Sequence, residues 1–185
     1  MLSKKHAVSM FLSVALSLPL SVSAESVKHL VLNLVGTGTG YSKLVPDIDG
    51  DTLDDEAVCF DVDLFNQKTR RRIGTATDCL SNITTEGDAI KLVGTTSFHL
   101  AGGELRGELV TRGLTTVQPV IQPTVSANGQ VFTHMTGAAG DGNAVLSGTG
   151  RYSSSTGTSR LSGLVNLADF PATATFDCLF VIDLD

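Results

Sequence analysis

The chain has 185 residues, a formal net charge of −6, 42% hydrophobic residues and no tryptophan. A negative field without an offsetting basic stripe repels polyanions, so nucleic acid is excluded as a partner. The length suits one domain with a hydrophobic core.

Residues 1–24 have the layout of a secretory signal peptide. Lys4 and Lys5 give a positive start, residues 8–20 are mostly apolar, and small residues precede the expected cleavage point. The apolar stretch is shorter than the roughly 20 residues of a spanning helix, and no later segment suggests a membrane span. We therefore expect a secreted or periplasmic protein whose mature part, residues 25–185, is a single domain with a formal charge of −8, because the signal holds two of the 13 basic and none of the 19 acidic residues.

The mature part has the pattern of an all-β protein. Runs rich in Val, Ile, Leu, Phe and Thr alternate with Gly, Asn and Asp, and helix-forming runs are missing after residue 25. In residues 58–64 the large apolar side chains share one face while Asp61 and Asp63 lie on the other, and the last strand alternates in the same way. These patterns predict eight strands, at residues 29–35, 57–65, 73–80, 89–100, 104–111, 144–147, 158–167 and 174–184.

Two stretches between the strands are predicted to be irregular. Residues 36–40 read Gly-Thr-Gly-Thr-Gly, but no helix follows to cradle a phosphate, so they predict a loop and not a nucleotide site. Residues 114–135 contain Pro119, Pro123 and an Asn-Gly pair, and predict a long loop or a loop with a short hairpin. Eight strands without crossover helices favour a closed barrel or a sandwich.

An acidic stretch before the second predicted strand suggests a weak calcium site. Carboxylates at alternate positions of a flexible loop can surround a hard cation. Thr52 stands where an EF-hand-type loop has glycine, and Val58 stands where it has a bidentate glutamate. The alternative is an acidic surface loop. Calcium is the one cofactor that the sequence suggests, with the candidate ligands Asp47, Asp49, Asp51 and Asp55.

The mature chain has three cysteines, which allow one disulfide in an oxidising compartment. Cys59 and Cys79 lie symmetrically about Thr69, the middle of a predicted hairpin turn, which favours their pairing. Cys178 can also reach either strand in a closed sheet, so the pairing stays open. No Cys-x-x-Cys is present and the histidines are scattered, which argues against zinc.

Two segments carry a resemblance to a known family. In residues 59–78 an apolar strand ends in Leu-Phe, a basic turn follows, and the next strand opens with Ile-Gly-Thr-Ala. In residues 146–157 the sequence Leu-Ser-Gly-Thr-Gly-Arg-Tyr-Ser-Ser-Ser-Thr-Gly is similar to a family turn of the form Gly-Gly-Thr-Gly-x-Phe/Tyr-x-x-Ala-x-Gly. Glycines there permit a tight turn with Tyr152 tucked beneath it. Over residues 29–184, with a divergent region at residues 114–142, the chain resembles the dirigent and allene oxide cyclase-like barrel proteins.

This resemblance implies an eight-stranded antiparallel β-barrel that is often trimeric. The apolar cavity of such barrels holds a hydrophobic or phenolic molecule, and a barrel of this strand number encloses just one small ligand. In plants these barrels steer the coupling of phenolic radicals or cyclise an unstable fatty-acid epoxide. Both tasks depend on a shaped pocket more than on strong catalytic groups. The resemblance therefore implies a homotrimer and a small hydrophobic or phenolic partner.

The family's functional residues are only partly matched. Asn33 aligns with an acidic residue that points into the family cavity, and an amide cannot act as the carboxyl acid or base. The arginine before the Gly-Thr-Gly turn has no counterpart, since Gly142, Asn143 and Ala144 stand there. The candidate ligand contacts are Asn33, Tyr41 and Tyr152.

Three functions follow from these residues. The favoured interpretation is a barrel that binds or steers a small molecule without strong catalysis. The first alternative is an isomerase or cyclase whose catalytic groups the sequence does not identify. The second is a structural secreted or envelope protein whose barrel is filled by Phe60, Phe98 and Phe180. An apolar cavity with convergent polar groups favours the enzyme, whereas a packed interior favours the structural protein.

Overall fold

The computed structural model describes residues 28–48, 50–140 and 143–185, so the predicted signal peptide lies outside the described residues. None of the helices in these ranges has the length and apolar character needed to cross a membrane. The described residues form ten strands: β1 (His29–Thr39), β2 (Tyr41–Val45), β3 (Asp55–Asn66), β4 (Arg72–Glu86), β5 (Ala89–Leu100), β6 (Gly107–Val125), β7 (Val131–Ala138), β8 (Ala144–Gly148), β9 (Gly157–Asn166) and β10 (Thr173–Leu184).

Eight of these strands close into an antiparallel barrel, which confirms the predicted fold. Strand β1 pairs with β10 on one side and with β3 on the other. Around the barrel the order is β1, β10, β9, β7, β6, β5, β4 and β3. The two short strands lie beside this ring: β2 continues the direction of β1 along β3, and β8 pairs with β6 and β9 next to β7.

One end of the barrel is filled by aromatic and aliphatic side chains. Phe98 and Phe180 meet edge to face there, with ring centroids 5.1 Å apart. The predicted inward face of β3 is confirmed, because Phe60 and Leu64 are fully buried while Asp61 is exposed. Burial of each such side chain stabilises the fold by about 1.5–3 kcal/mol.

The loop predicted at residues 36–40 is wrong, because β1 continues to Thr39 and β2 begins at Tyr41. The glycines here allow a close approach between strands. A Cβ on Gly38 would lie 2.8 Å from the Cβ of Phe60, which is too close for any other residue without a shift. The composition of residues 36–40 is typical of a loop, but close contact with β3 favours a strand.

The long loop predicted at residues 114–135 is also wrong. Strand β6 extends to Val125, and β7 pairs with it to form a hairpin longer than the short one considered as the alternative. The pairing shifts register between Pro119 and Thr124, so the prolines fall where a regular ladder is interrupted. Gly129, with φ of 83°, occupies the turn and donates its N–H to the carbonyl of Ser126 at 2.9 Å.

A small second core lies on the outer face of the barrel. Cys59 and Cys79 form a disulfide there, which confirms the favoured pairing, and Cys178 is a free buried thiol. Val45 at the end of β2 packs with the disulfide, and Ile48 packs against this cluster from the connection between β2 and β3. Arg112 holds this connection, since its guanidinium donates to the carbonyl oxygen of Pro46 at 2.6 Å. The disulfide is thus covered from outside and lies apart from the barrel interior.

Candidate functional site

The half of the barrel opposite the filled end encloses a cavity. The cavity has a volume of about 50 Å³. This volume admits a few waters, so a larger guest has to displace wall side chains. Most of the wall is apolar, with contributions from Leu34, Leu80, Leu92, Val117, Val165 and Phe176.

Asp78 is a carboxyl on this apolar wall. On β4 it has the same phase as Ala76 and Leu80, which face the interior, and it is only 8% exposed. It lies in register between Phe60 of β3 and Thr96 of β5. The hydroxyl of Thr96 donates to Oδ1 at 2.7 Å. Among the described residues no other side chain hydrogen-bonds this carboxyl, so Oδ2 has no side-chain partner there.

The electrostatic surroundings of Asp78 are unusual for a buried carboxyl. Burial raises its pKa from 3.8 to about 6, and the hydrogen bond from Thr96 opposes this rise. No lysine, arginine or histidine of the described residues forms an ion pair with it. Arg112 also borders the cavity, but its guanidinium donates to Thr95 and to backbone carbonyls of the β2–β3 connection. Asp78 therefore changes charge near neutral pH without a protein counter-ion.

Cys178 faces the same cavity from β10. Burial raises the pKa of its thiol, and the nearby Asp78 carboxylate raises it further. The thiol is therefore uncharged at physiological pH. Because the thiolate is the nucleophilic form, Cys178 is a wall residue and not a nucleophile.

Asn143 brings a second polar group to the wall, just before β8. Its side-chain nitrogen donates to the carbonyl oxygen of Ala139, and the N–H of Ser159 donates to its backbone oxygen at 3.3 Å. Its Oδ1 is buried and has no hydrogen-bond partner within the described part of the chain. Only glycine fits opposite, since a Cβ on Gly113 would collide with this oxygen. Unpartnered buried acceptors are uncommon in folded proteins.

Two of the predicted ligand contacts do not border the cavity. Asn33 alternates with the inward-facing Leu32 and Leu34, so its side chain points to the outer side of β1. Tyr41 is 40% exposed, and its hydroxyl donates to Asp61 on the outer surface at 3.1 Å. Contact of either residue with a ligand stays a prediction.

Tyr152 lies under the turn between β8 and β9, as its sequence motif predicts. Its ring is 1% exposed, and its hydroxyl donates to the carbonyl of Leu105 at 3.1 Å. The tight turn is confirmed, because Gly150 has a φ of 61°. A Cβ on Gly148 would lie 2.6 Å from the Cβ of Tyr152, so glycine makes room for the aromatic residue. Its role as a ligand contact stays a prediction.

The predicted calcium ligands hold the backbone of their own loop. Both carboxylate oxygens of Asp47 accept backbone N–H groups, at 2.7 and 3.0 Å, and Asp55 accepts the N–H of Ile48 at 2.6 Å. Asp51 accepts a backbone N–H two residues further on at 2.8 Å. Asp49 lies outside the described residues. The residues that are described contain no group of three potential metal ligands, and the calcium site stays a prediction.

Asp78 and Asn143 are cavity residues that were not predicted from the sequence. A signal for Asp78 was present, since a carboxyl in phase with Ala76 and Leu80 has to face the interior of a half-buried strand. Asn143 precedes a short strand and has no such periodicity. Its position against β6 emerges only from the closed barrel.

Comparison of the chain with protein-family models, with curated proteins and with solved structures found no match. The geometry of the cavity is therefore the main support for a function.

Proposed function

We propose that this protein is exported and that its barrel binds a small hydrophobic or phenolic molecule in the central cavity. One observation carries the proposal: an apolar cavity contains a buried carboxyl, Asp78, with an oxygen that no described side chain satisfies. Small-molecule sites combine apolar walls with a few polar groups in this way. The resemblance of residues 59–78 and 146–157 to dirigent and allene oxide cyclase-like proteins supports the same class of ligand.

Export is proposed from two features. Residues 1–24 have the layout of a signal peptide, and the Cys59–Cys79 disulfide is of a kind that persists in oxidising compartments. The homotrimer is proposed on the family resemblance alone.

The alternative of a purely structural, filled barrel receives less support. Phe60, Phe98 and Phe180 belong to one buried cluster, in which Phe98 and Phe180 are in ring contact. They fill only part of the interior, however, and Phe180 itself borders the cavity. A barrel with only a structural role gains nothing from a buried carboxyl without a counter-ion, because such burial costs stability.

A cavity-filling variant tests the proposal. Gly94 of β5 borders the cavity, and a Cβ there would meet only ordinary contacts, the nearest at 3.4 Å. Gly94→Leu is therefore expected to occupy the cavity without breaking the strand. Ser97→Leu, which faces outward on the same strand, is the matched control.

Native mass spectrometry of the mature proteins, purified from culture supernatant or periplasm, gives the readout. A stoichiometric small-molecule adduct on the natural protein and on the Ser97→Leu control, but not on Gly94→Leu, supports the proposal. The same spectra report whether the protein is a trimer. Absence of an adduct from all three proteins, or an equal adduct on Gly94→Leu, contradicts binding in the cavity.

Isomerase or cyclase activity is the second candidate, and Asp78 favours it. A carboxyl with a pKa of about 6 and a free oxygen is suited to take a proton from a bound molecule and return it elsewhere. If the recovered molecule exchanges carbon-bound hydrogen with deuterated solvent in the presence of the natural protein but not of Asp78→Asn, the barrel is an enzyme. Equal exchange with both proteins leaves the binding function.

A further inference from the structure

We propose that the molecule held in the cavity carries a protonated amine, which pairs with the Asp78 carboxylate. This inference rests on the proposed function, because it specifies the ligand of the same site. It is carried by the charge balance of the cavity and by the chemical type of the atoms that the fold leaves unpartnered.

The Asp78 carboxyl has no counter-ion among the described side chains. Asp78 is buried among apolar side chains, and Thr96 satisfies only Oδ1. A buried carboxylate is stable only when it is paired and hydrogen-bonded. The guanidinium of Arg112 does not provide the pair, since it donates to Thr95 Oγ1 at 3.2 Å and to two backbone carbonyls at 2.6 and 2.8 Å. The cation that pairs with the Asp78 carboxylate therefore has to come from the ligand.

Asp78 and Asn143 both line the cavity, and neither Asp78 Oδ2 nor Asn143 Oδ1 has a donor among the described side chains. Asn143 Oδ1 is sealed beside Gly113, so the acceptor that a ligand would meet is Asp78 Oδ2. A ligand with an N–H donor complements this oxygen, and an ammonium group presents three. A carboxylate ligand such as a fatty acid is disfavoured, because it places a second negative charge beside Asp78.

An amine and a neutral hydroxyl differ in what they offer Asp78. A hydroxyl donates one hydrogen bond but leaves the carboxylate charge uncompensated in an apolar site. An ammonium donates a hydrogen bond and also compensates the charge. The whole chain, with a formal charge of −6, also attracts cations over anions. The apolar walls contact the rest of the molecule, so the ligand class is a small apolar or aromatic amine.

Three probes of nearly equal size test the inference: phenethylamine, phenethyl alcohol and propylbenzene. They share the aromatic ring and differ in the terminal group, so differences in affinity report the interaction at that group. Isothermal titration calorimetry of the mature protein at neutral pH and low salt is expected to rank the amine first. The charge–charge attraction that the alcohol lacks predicts an advantage for the amine of roughly ten- to a hundredfold.

Two variants locate the effect. Asp78→Asn keeps the shape of the side chain, removes the charge and is expected to abolish the advantage of the amine. Asp61→Asn is the matched control, because Asp61 accepts from Thr77 at 2.6 Å on the outer face, as Asp78 accepts from Thr96 at 2.7 Å inside. The control variant is expected to keep the full advantage. The ranking in the natural protein needs no variant, so equal affinity for the amine and the alcohol overturns the inference even if Asp78→Asn does not fold.

The possible failures are distinguishable. Equal affinity for the amine and the alcohol, or an amine advantage that survives Asp78→Asn, overturns the amine while the proposed binding function stands. Binding of none of the three probes, together with native spectra free of any adduct, overturns the binding function and the inference with it.

Discussion

The Asp78 carboxyl links the stability of the barrel to pH. Its pKa rises from 3.8 to about 6 on folding, so between these values the folded protein keeps a proton that the unfolded chain has lost. The free energy of unfolding therefore falls as the pH rises through this window and is flat above it. The two pKa values correspond to a loss of about 3 kcal/mol. The groups that face Asp78 do not titrate here, since Thr96 is neutral and burial keeps the Cys178 thiol protonated.

The variant Asp78→Asn lacks this dependence. We expect its stability relative to the natural protein to increase by about 2–3 kcal/mol between about pH 4 and pH 7.5. Urea unfolding at several pH values measures the difference. Asp61→Asn controls for the removal of an outer-face carboxylate. A difference between Asp78→Asn and the natural protein that is constant over this pH range would falsify the assignment of the raised pKa to Asp78.

At the scale of elements, the turn between β8 and β9 is stabilised by one aromatic residue. Tyr152 is buried beneath it and reaches Leu105 through its hydroxyl. We expect Tyr152→Ala to lower the free energy of unfolding by about 3–5 kcal/mol, through the lost contacts and the cavity left behind. Tyr152→Phe loses only the hydrogen bond, at a cost of about 1 kcal/mol. Thermal and urea unfolding measure both values.

The same variants separate packing from ligand contact. Tyr152 does not border the cavity, so Tyr152→Phe is expected to leave the affinity for a cavity ligand unchanged. A loss of affinity without a matching loss of stability would instead support the predicted ligand contact.

The strands that were predicted well have a clear alternation of apolar and polar residues in their own sequence. In β10, buried Phe176, Cys178 and Phe180 alternate with less buried neighbours. The alternation within this strand alone therefore indicates which side faces the core. Strand β2 and the β6–β7 hairpin do not show such an alternation of buried and exposed side chains. Exposed Ile121 and the two prolines of β6 give no alternation, and their strand conformation comes from pairing with distant residues.

At the scale of the whole molecule, the site depends on closure of the barrel. Asp78 comes from β4, Asn143 from the segment before β8, and Cys178 from β10, and no spacing along the chain relates them. Barrel closure, not local pattern, brings them to one cavity. The class of fold was predictable from alternation and turns, whereas the cavity required the order of strands and the depth to which one end is filled.

Closure also separates the disulfide from the cavity, because neighbouring side chains of a strand point to opposite faces. Cys79 follows Asp78 directly, yet it pairs with Cys59 outside the barrel while Asp78 points in. The bridge joins residues 20 apart in sequence, and a loop of this size predicts that the double variant Cys59→Ser, Cys79→Ser loses about 3 kcal/mol of stability. We expect ligand affinity, measured by calorimetry well below the unfolding temperature, to be unchanged. A parallel loss of affinity would mean that the outer core positions the cavity wall, and that the two faces of β4 are coupled.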